Sequence, residues 1–474
     1  MRAFETSVQE LKNGVLREVA RLTWEDRLQI GALDIPEKII QGPEATMRCC
    51  IYKERAIIGQ RVKMALGGDK TNPAIVEVLS IACDECPVSE ITVGPACRGC
   101  IATRCMHTCP KGAISVVDHR AHIEHSKCIT CGKCLQACPY GAIVRNVRPC
   151  ERGCKVNAIK MGPDKKATID VEKCIGCGNC VYQCPFGAIM DKSYIVDAVQ
   201  MLLGTEKWGY RVYAAVAPSI AGQFAPASLG QVVAGMKQLG FHDVVEVALG
   251  ADMVARQEGG ELLGKGTLAS SCCPAFVDYV QKNFPKQAEL ISETPSPMVM
   301  AARYIKSRDP RAKVIFIGPC VAKKQEMQLG KTMGAVDCVL TFEELWALLE
   351  SKDIDLTKLE PAQLDEASGF GRTFARSGGV SAAVAEALKE AGIKEQQFKL
   401  QAVPCSGIDE CKVAFMKAAK GVADGNFIEG MACDGGCVQG PGCLVRSPRN
   451  RLEVEKHAKE ANGRTISDAV KRAE

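Results

Sequence analysis

The chemistry of this chain is carried by cysteine. Its 474 residues include 27 cysteines, and most of them fall into spacings that bind metal. Cys128-x2-Cys131-x2-Cys134-x3-Cys138-Pro and Cys174-x2-Cys177-x2-Cys180-x3-Cys184-Pro are complete runs of the bacterial ferredoxin type. Three thiolates on one tight loop take three irons of a cubane, and the fourth ligand comes from a distant half-unit. Cys97-x2-Cys100-x4-Cys105-x3-Cys109-Pro has a longer middle gap, and Cys83-x2-Cys86 and Cys150-x3-Cys154 are partial runs. Zinc prefers isolated Cys-x2-Cys pairs, without a third cysteine close by and a closing Cys-Pro. A secreted disulfide scaffold is usually short.

A four-fold echo, Cys109-Pro-Lys-Gly-Ala-Ile, Cys138-Pro-Tyr-Gly-Ala-Ile, Cys154-Lys-Val-Asn-Ala-Ile and Cys184-Pro-Phe-Gly-Ala-Ile, indicates duplicated ferredoxin half-units. The region holds sixteen cysteines, enough for four cubanes with none left over. One partition exchanges fourth ligands between runs: 97, 100, 105 and 138; 128, 131, 134 and 109; 174, 177, 180 and 154; and 83, 86, 150 and 184. It resembles polyferredoxin electron-transfer subunits. The alternative is a two-cluster ferredoxin from the runs at 128 and 174, with separate clusters upstream.

Three later segments complete the pattern: Ser271-Cys272-Cys273-Pro274, Gly318-Pro-Cys320-Val-Ala-Lys323-Lys-Gln-Glu326 and Met431-Ala-Cys433-Asp-Gly-Gly-Cys437. In this order, behind a cysteine-dense half, they resemble the signature loops of the iron-only (FeFe) hydrogenases over residues of about 200–445. The resemblance implies an H-cluster: a 4Fe–4S cubane on Cys273, Cys320, Cys433 and Cys437, with Cys437 bridging to a diiron unit that carries CO, cyanide and an azadithiolate. It implies that the Cys272 thiol relays protons, with Glu258, Ser292 and Glu261 leading outward. A thiol of ordinary pKa about 8.5 can both donate and accept near neutrality. Lys323 then donates to one cyanide, Ala217-Pro218-Ser219 contacts the other, and Phe374 and Met431 stand at apolar pocket positions. Ser271, Phe276, Met298 and Gly318 depart from the commoner Thr, Trp, Gln and Met, so the chain looks like a less-studied, group B-like branch. Cys272 favours turnover over hydrogen sensing. The competing readings are a sensor with the same cofactor and an iron–sulfur carrier that lacks the diiron unit.

The elements that must position these residues read as follows. Ser7–Leu22 and Ala56–Leu66 are helical by apolar spacing. Arg211–Ala217, Val244–Leu249, Thr267–Ser271 and Val314–Ile317 are short buried strands, each leading into a loop and a helix, which predicts a parallel sheet with chemistry at strand ends. The fold class is a multidomain α+β and α/β protein: a ferredoxin-like 4Fe–4S region before a two-lobed α/β catalytic domain. The expected domains are a helical region 1–78, the iron–sulfur region 79–195, the catalytic domain 196–445 and a C-terminal helix or tail 446–474. Cys338, Cys405, Cys411 and Cys443 lack ligand spacing, and Cys49 and Cys50 read as buried or merely free thiols.

The formal charge of +5 does not by itself indicate a nucleic-acid partner, because the cations are scattered along the sequence and thiolate-bound clusters add negative charge. No apolar run reaches the roughly 18 residues that would span a bilayer. The first ten residues show neither a signal core nor a twin-arginine pair, so the expected location is the cytoplasm. No nicotinamide or flavin fingerprint is present. The expected partners are dihydrogen and protons, a ferredoxin-like redox protein, and maturation proteins for the diiron unit.

Overall fold

A computed structural model describes residues 4–330, 332–461 and 463–473. Residues 1–3, which open the segment read for a signal core, lie outside it, as do positions 331, 462 and 474 within the expected domains. Ser7–Trp24 is one helix, begun by Thr6, whose hydroxyl accepts from the Gln9 N–H. Its apolar face buries Val15, Leu16 and Val19 against the helices Ile195–Trp208 and Phe342–Ser351. The second expected helix runs over Ile51–Ala65, after the short helices Leu28–Gly31 and Ile35–Ile39, and starts five residues before the apolar pattern becomes regular.

Lys12 on the first helix reaches Asp191 at 2.8 Å and Glu343 at 2.7 Å. The fully buried Lys324 holds the same Asp191 at 2.8 Å and Glu344 at 2.9 Å. Buried charges persist only when paired and hydrogen-bonded. This network therefore fixes the amino-terminal helix, the iron–sulfur region and the segment after Cys320 relative to one another.

The cysteine runs lie in two small units of antiparallel strands. In the outer unit Ile91–Val93 pairs with Ile143–Arg145, enclosing the hairpin Ile114–Val117/Arg120–Ile123. In the inner unit Val76–Val78 pairs with Ile189–Asp191, and Ile159–Met161 with Ala167–Ile169. The outer unit is therefore inserted into the inner one: the chain leaves after Cys86 and returns at Cys150. The ends of the insertion meet. Arg148 Nε donates to the Pro87 carbonyl at 3.3 Å, and the Asn146 N–H donates to the Glu90 carbonyl at 2.8 Å.

The echo has a backbone cause. Gly112, Gly141, Asn157 and Gly187 all adopt left-handed φ, between 53° and 59°. Glycine does this without strain, and asparagine is among the side chains that tolerate it. The turn aims the next amide back at sulfur. The N–H groups of Ala113, Ala158 and Ala188 donate to the Sγ of Cys109, Cys154 and Cys184 at 3.3, 3.2 and 3.2 Å.

Beyond the iron–sulfur units lie two parallel sheets. One has the order Asp243–Glu246, Val212–Val216, Lys313–Gly318, Cys338–Thr341, and the other Leu268–Ala269, Phe427–Met431, Ala402–Ser406. The strand expected over 244–249 ends at Glu246, and Val247 opens a helix that runs to Lys265. A continuous apolar run carries no period to mark that change. The chain closes with two helices, Asn450–Lys459 and Ile466–Ala473, and the second buries Ile466, Ala469 and Val470.

Candidate metal centre

Four strands end at one place. Val212–Val216 runs into Ala217-Pro218-Ser219, Leu268–Ala269 into Ser271–Cys273, Lys313–Gly318 into Pro319-Cys320, and Phe427–Met431 into Cys433 and Cys437. Carboxyl ends of parallel strands are where such sheets place their sites. One cavity of about 80 Å3 is lined by Ala217, Pro218, Ser219, Cys272, Cys273, Met298, Cys320, Lys323, Phe374, Met431 and Cys437. Cys433 does not line this cavity, but its buried thiol adjoins those of Cys320, Cys273 and Cys437. Gly435 and Gly436 have φ of 84° and 94°, and a Cβ on Gly436 would lie 2.8–2.9 Å from backbone atoms of Ala375, Arg376 and Ser377. Only glycine lets this loop bring Cys437 inward.

Burial raises these thiols, that of Cys320 to about 11 and that of Cys437 to about 12, and the neighbouring cysteines push the same way. Four converging buried thiols gain from a shared cationic centre, which favours the thiolate. The Ser219 hydroxyl is buried and, among the described residues, has no hydrogen-bond partner, yet it lines the cavity, so it can donate to a bound group. Lys323 is buried too. Its Nζ meets Glu326 at 2.6 Å and the Cys272 carbonyl at 3.3 Å. The donor set and the unfilled hydroxyl fit an iron–sulfur cofactor that carries acceptor ligands.

The expected proton carriers lie together on the 247–265 helix and the strand ends facing it. Glu258 is fully buried. Burial raises its carboxyl to about 8, against the N–H of Ser271, which donates to Oε1 at 3.0 Å. Its Oε2 has no hydrogen-bond partner. Ser292 Oγ donates to Glu261 Oε2 at 2.5 Å, and Lys265 meets Glu261 Oε1 at 2.8 Å. Cys272 Sγ is 3.9 Å from Ser270 Oγ, and both Glu258 and the buried Glu429 raise its pKa further beyond the effect of burial. Sequence reasoning did not single out Ser270 or Glu429 and treated Ser271 only as a departure. Glu429, on the strand before Met431, accepts from the N–H groups of Gly378 and Ser381. A glutamate inside an apolar strand run was the available signal.

The remaining thiols gather in four neighbourhoods. After burial, Cys105 is raised by Cys100 and Cys138, and Cys134 by Cys128, Cys131 and Cys109. Cys150, raised by burial to about 12, lies beside Cys184 and Cys83, and Cys86 also lies near Cys184 and Cys83. Cys180 adjoins Cys177, Cys174 and Cys154. Cys97 moves the other way, lowered by the Ala121 N–H, which donates to its sulfur at 3.4 Å. Among the described residues no three His, Cys, Asp or Glu side chains gather as for a single metal ion. Cubane ligands stand farther apart than ligands of one ion.

Cys177 lies near Cys273, so the inner unit abuts the cavity. A Cβ on Gly178 would lie 2.8 Å from Val321, and one on Gly176 would lie 2.3 Å from Gln325 Oε1. Cys338, Cys405, Cys411 and Cys443 are buried and do not line the cavity. Cys49 and Cys50 are exposed, with their sulfurs 4.0 Å apart.

Comparison with known proteins adds relatives to this geometry. Residues 210–441 match the C-terminal domain of the iron-only hydrogenase large subunit, residues 167–190 a 4Fe–4S binding domain and residues 96–142 a 4Fe–4S dicluster domain. Iron hydrogenase 1 of Clostridium pasteurianum is 28% identical over 73% of this chain and 69% of its own length. The periplasmic Fe hydrogenase large subunit of Nitratidesulfovibrio vulgaris is 30% identical over 71% of this chain and 89% of its own. A solved FeFe hydrogenase variant from Chlamydomonas reinhardtii superposes with a TM-score of 0.49 at 20% identity, over 58% of this chain and 93% of that one.

Proposed function

The chain belongs to the iron-only hydrogenases, oxidoreductases that act on dihydrogen and carry an H-cluster with accessory iron–sulfur clusters, and from that premise we propose that it interconverts protons, electrons and dihydrogen. Cys273, Cys320, Cys433 and Cys437 would hold the H-cluster, with Cys437 the thiolate that would also serve its diiron part. When bound, that cofactor supplies the redox chemistry and the site at which dihydrogen is made or split. The protein binds it, orients it, keeps it dry and moves protons to it.

Cys272 holds a proton beside the cavity. Glu258, at about 8, keeps its proton near neutrality, so it can give one up and recover it without a large energetic step. Ser292 and Glu261 continue the route to the half-exposed Lys265 end of the helix. Lys323 and the Ser219 hydroxyl donate to the acceptor ligands of the cofactor, where fixed donors in a water-poor site act most strongly. Four accessory cubanes, with the exchanged ligand sets given above, carry electrons. The set of Cys154, Cys174, Cys177 and Cys180 is nearest the cavity, and the outer unit is the far terminus. Partners of this reading are a ferredoxin-like carrier and maturation proteins, in the cytoplasm.

One observation carries the reading: Cys272, three of the four proposed cubane ligands, Lys323 and an unpartnered Ser219 hydroxyl line a single buried cavity. Infrared spectroscopy of anaerobically matured protein tests it. Bands of iron-bound CO and cyanide that shift under dihydrogen are expected. Their absence in protein with full iron and confirmed maturation would overturn it.

A further inference from the structure

We propose that electrons reach this protein through the outer iron–sulfur unit at a cationic docking face, built around the pocket of Cys109, Cys128, Cys131 and Cys134 and suited to a small acidic one-electron carrier protein. The proposal rests on the hydrogenase reading and names the partner surface for it.

Three observations support this face. The first is charge. Residues 91–147 hold seven Lys or Arg and two Asp or Glu, a surplus of five that equals the formal net charge of the whole chain. The unit carries cations at the chain's ordinary density but few carboxylates to offset them, and all seven cations are exposed. Among the described residues, Arg98, Arg104, Lys111 and Lys133 have no carboxylate at ion-pair distance, whereas Lys127 is taken by Glu124. Four of the chain's six histidines, 107, 119, 122 and 125, are exposed on the same unit. The clusters would bring negative charge of their own, set among these exposed cations.

The second is the pocket itself. Its wall includes all four thiols of one proposed cubane, together with Lys111, Ile129 and Lys133. Cys131 is exposed, so that cluster approaches the surface. The third is apolar surface between the charges. Ile129, which lines the pocket together with Lys111 and Lys133, is 55% exposed. Exposed apolar side chains within a cationic rim give the dry centre and steering periphery of a transient electron-transfer contact. Matching an acidic carrier to this rim would mainly raise the association rate, and salt would weaken it.

The test uses the full, matured protein with two electron donors: a reduced acidic 4Fe–4S ferredoxin, which must dock, and reduced methyl viologen, which need not. The double variant K111E/K133E should raise the KM for ferredoxin about tenfold or more, with unchanged iron content and viologen-driven turnover. The same charge reversals at Lys394 and Lys420, exposed on the catalytic side, should change neither assay. Raised salt should increase the wild-type KM for ferredoxin only. If K111E/K133E loses iron, K111Q/K133Q repeats the measurement with smaller perturbation. An unchanged ferredoxin KM in an iron-replete variant overturns the proposal, as does an equal loss in the Lys394/Lys420 control. A wild-type protein inactive with viologen would instead count against the hydrogenase reading. Calorimetric binding of ferredoxin, lost in K111E/K133E, would then still report on the docking face.

Discussion

Ile129 and Ile175 occupy the same place in the same motif, directly after the first cysteine of a run, yet Ile129 is 55% exposed and Ile175 2%. The neighbouring residues diverge in step. Thr130 and Gly176 both take left-handed φ, 52° and 62°; Gly176 faces Gln325 of the catalytic part, whereas the Thr130 carbonyl accepts from Arg145 of its own unit at 2.5 Å. The outer unit tolerates threonine there because the Thr130 side chain stands exposed. The inner unit needs glycine because the helix carrying Lys323 lies against it. Two copies of one ligand loop thus serve opposite surfaces, one turned to solvent and the other to the catalytic cavity. The buried core of the outer unit is small, chiefly Ile91, Ile114, Ala121 and Ile143 with Cys134. The inner unit borrows Ile57 and Met64 from the second helix and Val321 from the catalytic part.

Substitutions can break this comparison. Cys177→Ser, in the inner loop, should abolish turnover with both ferredoxin and viologen, because the cluster next to the cavity is lost; iron analysis and both rate assays check it. Cys272→Ser leaves both units untouched, so iron content should stay nearly intact while turnover falls by roughly 10²–10⁴, the range of a lost proton-transfer group. Unchanged turnover would remove Cys272 from the mechanism. Cys131→Ser should act on one side only, depressing the ferredoxin-driven rate while viologen, able to reach the inner clusters, still supports hydrogen evolution. Equal losses in both assays would mean that the outer unit is not merely a conductor.

Smaller effects sharpen the same contrast. Gly178→Ala meets both the φ of 77° and the contact with Val321, so it should destabilise the docked inner unit by more than about 2 kcal/mol. The corresponding Gly132→Ala has φ of 81° and only the flexible Arg145 side chain in its way, and should cost about 1 kcal/mol, both read by anaerobic thermal melts. The smallest effect concerns pH. The folded Glu258 carboxyl, at about 8, lies above its unfolded value, so the native state binds the extra proton between about pH 4.5 and 8 and stability falls as pH rises through that window. Glu258→Gln should flatten this slope. A slope identical to wild type would assign the raised carboxyl elsewhere.

Much of the candidate site was legible in sequence because metal ligation fixes residue type and spacing together. The runs at 128 and 174 and the three later loops each mark candidate ligands, although the runs leave open which cluster takes the fourth cysteine. The first helix followed from apolar period and the four buried strands from short apolar runs that lead into loops, one of which ends three residues early. What escaped was set by neighbours remote in the chain. The Lys12–Asp191–Lys324 network joins residues more than a hundred positions apart, and no local pattern encodes it. Ser271 looked like a mere replacement until the fold turned its N–H toward Glu258. The strands Cys338–Thr341 and Ala402–Ser406 are short and carry Thr, Pro or Ser, so the sheet around them, not their own alternation, makes them strands.

The nesting of one iron–sulfur unit inside the other also sets an order of events. Cys83 and Cys86 are separated from Cys150 and Cys184 by the whole outer unit, so until that insertion folds, the four thiols sit at the ends of a long loop whose closure is costly. Once the outer unit has formed, its joined ends, Pro87 and Arg148, bring the halves within reach. The outer unit would then be a splint as well as a conductor, because its folding presents the inner positions with a chain that has already been shortened.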